Sequence, residues 1–147
     1  MNEPVLLPCM CATLRRASRA LTQFYENAAR AEGVRAGQFT ILQVLSRAGE
    51  LSQGKLGKVL AMDSTTLSRT LRVMRREKWI EELRGDDRRE RYFRLADRGK
   101  ALLQRGTPQW EKTQSEVRRR LGKQAWDDLQ RLANQATKAL TTGKELL

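Results

Sequence analysis

Met10, Leu14, Ala17, Leu21, Phe24, Ala28 and Ala31 recur at alternating spacings of four and three. That spacing predicts one apolar stripe along a helix of about six turns, with Pro8 at its first position and its end near Gly33. The opposite face carries Arg15, Arg16, Arg19, Glu26 and Arg30. A small monomer can hardly cover so long a stripe, so a second subunit is expected to share it. Residues 38–48 repeat the pattern through Phe39, Ile41, Leu42, Leu45 and Ala48, and Gly49 closes the segment.

Two shorter helices follow. Ser52 is placed as the N-cap of a helix over Gln53 to Leu60 with Leu56, Val59 and Leu60 facing inward, and Asp63 as the N-cap of a helix reaching about Lys78 with Leu67, Leu71 and Met74 inward. Only Ala61-Met62 separates them, which predicts an angled helix-turn-helix pair. Trp79 to Leu83 and Arg91 to Leu95 read as strands around the charged turn Arg84-Gly85-Asp86-Asp87-Arg88-Arg89-Glu90, a hairpin with a basic tip. Beyond it, Asp97 is placed as the cap of a helix carrying Ala101, Leu102, Leu103, Trp110, Val117 and Leu121, which Pro108 is expected to kink or break near residue 105. A last helix after Gly122 presents Trp126, Leu129, Leu132, Ala133, Ala136 and Leu140. The fold class is therefore mainly α with a small β-wing, in one continuous domain. Residues 35–96 form a winged helix-turn-helix, and residues 8–34 and 97–147 form a dimerisation layer.

Charge sharpens this picture. The 147 residues hold 29 Lys+Arg and 17 Asp+Glu, for a formal net charge of +12. The excess is +4 over residues 1–62, +3 over 63–94 and +5 over 95–147, so it is spread and not gathered in a tail. A polyanion is the expected partner, nucleic acid before an acidic membrane surface. No stretch approaches the roughly 18 apolar residues of a membrane span. The run Val5 to Leu14 lacks a basic leader and contains Pro8, which makes it a poor signal peptide. Histidine is absent, which removes the commonest general base and metal ligand. Two cysteines two residues apart are no disulfide framework. The expectation is a reduced, cytoplasmic protein with no cofactor, no metal and no membrane contact.

On a helical wheel of about 100° per residue, the side of residues 63–78 opposite Leu67, Leu71 and Met74 holds Thr65, Arg69, Arg72 and Arg76, with Ser68 and Arg75 at its margins. Short hydroxyls and guanidiniums suit base edges and phosphates in a major groove, and a helix N-terminus offers amides to a phosphate. Ser64 and Thr66 at that end complete the candidate set. Arg88 and Arg89 at the hairpin tip suit the negative potential of a minor groove. Asp87, which phosphate would repel, is expected to pair with Arg89 and hold the tip in shape. A solvated helix face and an ordinary Asp-rich turn remain as simpler readings.

Ser52-Gln53-Gly54-Lys55-Leu56, Asp63-Ser64-Thr65-Thr66-Leu67-Ser68-Arg69, and Asp87-Arg88-Arg89 followed by Leu95 and Gly99 resemble the MarR family of transcriptional regulators. The likeness extends to the long first helix and to Leu102, Leu103, Trp110 and Val117. It implies a homodimer built from the first and last two helices, with two winged lobes on double-stranded DNA. It further implies repression from palindromic operators, relieved by a small ligand or an oxidant, and a cavity between the dimer helices and each lobe. Gly57 and Ala96 depart from the usual Ala and Thr, and Gly57 is expected to loosen its helix by up to about 1 kcal/mol.

Cys9 and Cys11 fall in the first turn of the first helix, where the dipole favours negative charge, and Arg15 follows one turn after Cys11. Cys11-x-x-Leu14-x-x-x-Ser18-Arg19-Ala20 is similar to the sensing-cysteine region of the family's organic-hydroperoxide-responsive branch, whose tyrosines bond the thiol. Tyr25 stands where one such tyrosine would be, and Ala36 replaces a second. Small apolar packing at the dimer end is the plainer reading of both cysteines. Trp110 and Trp126 read as core or interface, and Arg118-Arg119-Arg120 as a solvated face. Two alternatives to a regulator stay open: a thiol enzyme using Cys11, and a basic RNA-binding module. The first lacks an acid-base partner, and the second lacks exposed aromatics for base stacking.

Overall fold

A computed structural model describes residues 7–141. The outermost residues of the expected dimerisation layer, 142–147, and the first two of the Val5 to Leu14 run lie outside them. Helix α1 spans Met10–Ala28 and a 3-10 turn follows at Arg30–Glu32. The first helix is therefore shorter than its stripe suggests. Cys9, not a residue before Pro8, is its N-cap, so Pro8 precedes the helix and does not occupy its first position. Gly33 closes the turn with φ +67, a left-handed conformation that glycine adopts without strain.

Helix α2 (Ala36–Ala48) leads through a short strand β1 (Glu50–Ser52) into α3 (Gln53–Leu60) and α4 (Ser64–Arg76). Strands β2 (Ile80–Arg84) and β3 (Arg91–Leu95) form the hairpin, and β1 adds to the far side of β3 to give the antiparallel order β1-β3-β2. That third strand is absent from the sequence reading. Three residues are too few to show an alternation. Helices α5 (Asp97–Leu121) and α6 (Lys123–Thr141) complete the chain.

The core lies inside the winged lobe. Ile41, Leu42 and Leu45 of α2 meet Leu56 of α3, Leu67, Leu71 and Met74 of α4, and Ile80, Phe93 and Leu95 of the sheet, all nearly inaccessible. Leu102 brings the start of α5 into the same cluster. Val59 is 61% exposed, contrary to the expected inward placement, whereas Leu56 is buried and Leu60 packs partly buried against the core. Ala101 is likewise exposed.

Helix α5 runs unbroken through Pro108, which overturns the expected break. The missing N–H removes one bond, and Gln104, whose carbonyl it would have served, sits on the exposed side. The Thr107 hydroxyl donates to the Leu103 carbonyl at 2.6 Å beside it. Ala96, not Asp97, is the N-cap of this helix, and Asp97 instead pairs with Lys100 at 3.5 Å. The layer of α1, α5 and α6 buries little within one chain: Met10, Leu14, Leu121, Leu129, Leu132 and Leu140 are all more than a third exposed.

Candidate nucleic-acid interface

Helix α4 is amphipathic by construction. Leu67, Leu71 and Met74, at intervals of four and three, turn into the core, and the opposite side is left to solvent. Its start is fixed by Asp63, whose carboxylate accepts the Thr66 amide at 2.8 Å and the Thr66 hydroxyl at 2.6 Å. Those two bonds, the hydroxyl first, hold the Asp63 carboxyl below its ordinary range. Ala61, left-handed at φ 50, turns the chain between α3 and α4. At Gly57 the helices come so close that a Cβ would stand 3.3 Å from the Met62 carbonyl oxygen. The glycine that weakens α3 as a helix thus relieves a close contact with the turn.

The outer face presents Ser64, Thr65, Arg69, Arg72 and Arg76, all exposed. Arg69 and Arg72 have no side-chain partner among the described residues, and only Glu77, 4.0 Å away, approaches Arg76. Three other expected contacts are engaged within the chain. The Thr66 hydroxyl belongs to the cap, and Arg75 meets Glu82 of β2 at 2.5 Å. The Gln53 side-chain amide donates to the Ser68 hydroxyl at 2.7 Å. Gln53 and Glu82 escaped the sequence reading. The signal for Glu82 was an acid on the strand face that elsewhere carries core residues.

At the hairpin tip Arg88 and Arg89 are exposed, and their guanidiniums have no partner among the described residues. Asp87 does not pair with the Arg89 side chain. Its carboxylate accepts the Arg89 backbone amide at 3.0 Å, and its carbonyl accepts the Glu90 amide at 3.0 Å. It shapes the tip through the backbone, which leaves the arginine charge free. Ser52, Gly54, Lys58, Ser64, Ser68 and Arg89 line one concave surface between α3, α4 and the wing.

A second candidate site is a cavity of about 250 Å³ between α1, α2 and α5, walled by Leu21, Tyr25, Val34, Phe39, Trp110 and Thr113. Gly106 lets α5 pack directly on Phe39 in its wall, since a Cβ there would stand 2.7 Å from the Phe39 ring. The Tyr25 hydroxyl donates to the Gln114 side chain, and burial pushes its phenol above its ordinary range. Fourteen residues of α1, roughly 21 Å, separate Tyr25 from Cys11. Within one chain, then, the tyrosine is a cavity wall and not a thiol partner. Cys9 and Cys11 are free and exposed, and the Cys9 sulfur accepts the Ala12 amide at 3.4 Å.

No group of three or more metal-ligating side chains occurs among the described residues. None of their helices is long and apolar enough to cross a membrane. Residues 32–90 match the sequence profile described as the MarR family. The chain is similar to the M. tuberculosis transcriptional regulator MosR in complex with DNA, at 34% identity over 90% of this chain and 96% of that one, with a TM-score of 0.82. A mutant of MarR from E. coli complexed with operator DNA shares the fold at 19% identity over 86% and 92% of the two chains (TM-score 0.77). NadR in complex with 4-hydroxyphenylacetate does so at 17% over 94% and 99% (TM-score 0.73). No curated protein matches the chain significantly.

Proposed function

Because the chain belongs to the MarR family of DNA-binding transcription regulators, we propose that it acts in the cytoplasm as a homodimeric repressor of palindromic operators. Residues 35–96 form its reading lobe, and residues 8–34 and 97–147 its dimerisation layer. It performs no catalysis. Thr65, Arg69 and Arg72 read base edges in the major groove, with Ser64 and Ser68 beside them. Arg76 holds the backbone, and Arg88 and Arg89 enter the minor groove. The observation that carries this is the outer face of α4: exposed Thr65, Arg69 and Arg72, with guanidiniums unpaired among the described residues, on a helix whose inner face is locked into the core. Two such helices about one turn of DNA apart, roughly 34 Å, would read half-sites about 10 bp apart. The apolar residues left uncovered on α1, α5 and α6 support a dimer built from those helices.

Release follows from a small ligand in the cavity between α1, α2 and α5, or from oxidation at Cys9 or Cys11. The ligand route is supported by aromatic walls joining the dimer layer to the reading lobe. The oxidant route is supported by two accessible thiols at the start of α1.

Arg69→Ala tests the reading face. It should reduce preference for the operator over random duplex by about 10- to 100-fold, the scale of one lost bidentate base contact. The dimer and the melting temperature should stay as they are. If fluorescence anisotropy shows operator affinity untouched, that face does not read DNA.

A further inference from the structure

We infer that Glu82 is a positioning residue that locks the wing to the reading helix, and that Arg75 belongs to this lock and is not a phosphate contact. The inference rests on the DNA-binding reading above and adds to it the part that sets the angle between its two reading elements. Side chains alternate along β2, so Glu82 shares a face with Ile80, which is buried, and lies directly opposite buried Phe93 of β3. An apolar residue is expected there. The Glu82 side chain is instead a carboxylate that retains only 19% exposure.

A charge so withdrawn from water is tolerated when its oxygens are answered by opposite charge. Here each oxygen has its own guanidinium. Arg75 at the end of α4 reaches Oε2 at 2.5 Å, and Arg91 at the root of the wing reaches Oε1 at 3.4 Å. The turn after α4, with Lys78 left-handed at φ 60, doubles the chain back so that residues seven apart meet. One carboxylate thereby ties the helix proposed for the major groove to the strand that carries the minor-groove tip. Without it the hairpin would hinge about its root, and the spacing between Arg69 and Arg89 would not be fixed.

Electrostatics alone predicts the opposite outcome for its removal, which makes the sign decisive. Deleting an acid from a DNA-facing surface and freeing two arginines should tighten binding to any duplex and steepen its salt dependence, by about 0.9 in log K against log salt for each phosphate gained. A positioning role predicts lost discrimination. The test compares Glu82→Gln with the full wild-type chain. Its probes are a duplex enriched by the wild-type protein from a randomised pool, a random-sequence duplex of equal length, and amide hydrogen exchange of the free protein.

We expect preference for the enriched duplex to fall about tenfold while affinity for the random duplex holds or rises and the salt slope steepens. Wing amides between Arg84 and Arg91 should exchange faster, with α2 amides unchanged. Arg75→Gln should reproduce the faster wing exchange without flattening the salt slope. Equal tightening on both duplexes with unchanged wing exchange would overturn the inference and leave Glu82 a brake on charge. Faster exchange throughout the chain, with both affinities falling together, would overturn it in favour of general stability. A wild-type protein that enriches no duplex would refute the DNA reading itself, and the exchange arm would still decide the lock.

Discussion

Gly99 packs the start of α5 against the Trp79 backbone, and replacing it by alanine should be among the most damaging single-methyl changes in the chain. A Cβ at residue 99 would stand 1.9 Å from the Trp79 carbonyl oxygen. Carbon and oxygen tolerate about 3.3 Å, so the start of α5 must move off Trp79 by more than 1 Å. That oxygen accepts the Ala96 amide at 3.0 Å, and the movement breaks this bond. An unpaired, half-buried amide costs about 1–3 kcal/mol. The gap opened beside Leu95 and Leu102 adds roughly 2 kcal/mol, and alanine's better helix propensity offsets about 1 kcal/mol. The net loss is about 2–4 kcal/mol, which at this chain length lowers the melting temperature by roughly 5–15 °C. Thermal unfolding followed by circular dichroism at fixed protein concentration reads this directly. A melting temperature within about 2 °C of wild type would refute the reasoning and mean that α5 and Trp79 are not in rigid contact.

Leu132→Glu on α6 puts a charge on an apolar face that is half exposed in the single chain; light scattering should find a monomer, and an undisturbed dimer would place the interface elsewhere. Arg119 and Arg120 bond the Glu116 carboxylate and hold it at about 2, below its ordinary 4.5. With the folded value depressed, the pairing is complete above pH 4.5 and is lost as pH falls through about 2. A carboxyl titration by NMR should find Glu116 still ionised at about pH 3, and a midpoint near its ordinary value would contradict the pairing.

Much of the reading lobe was legible because its signals are local. Asp63 caps α4 and Ser52 caps α3 as their side chains dictate, and the period of Leu67, Leu71 and Met74 gives the inward face without knowledge of any neighbour. What escaped depends on distant partners. Val59 fits the periodic stripe of α3, yet whether it is covered depends on how neighbouring elements pack, and they leave it exposed. Pro108 carries a helix-breaking rule that a long helix with an exposed carbonyl side can absorb. Arg75 sits on the margin of the reading face, and only the fold of β2 reveals the acid that holds it. Tyr25 has the right spacing for one role but, within one chain, the wrong distance for it, because spacing along a helix converts to length and not to proximity.

The unbroken course of α5 has a mechanical consequence. Twenty-five residues make a beam of about 37 Å, anchored against the hairpin at Gly99 and ending at the corner with α6. The cavity wall at Gly106 and Thr113 lies on its middle stretch. A molecule pressing there would not bend a loop; it would tilt a stiff rod whose far end swings further than the point of contact. On the proposed reading, a small occupant of the cavity would therefore shift the grip on DNA without touching it.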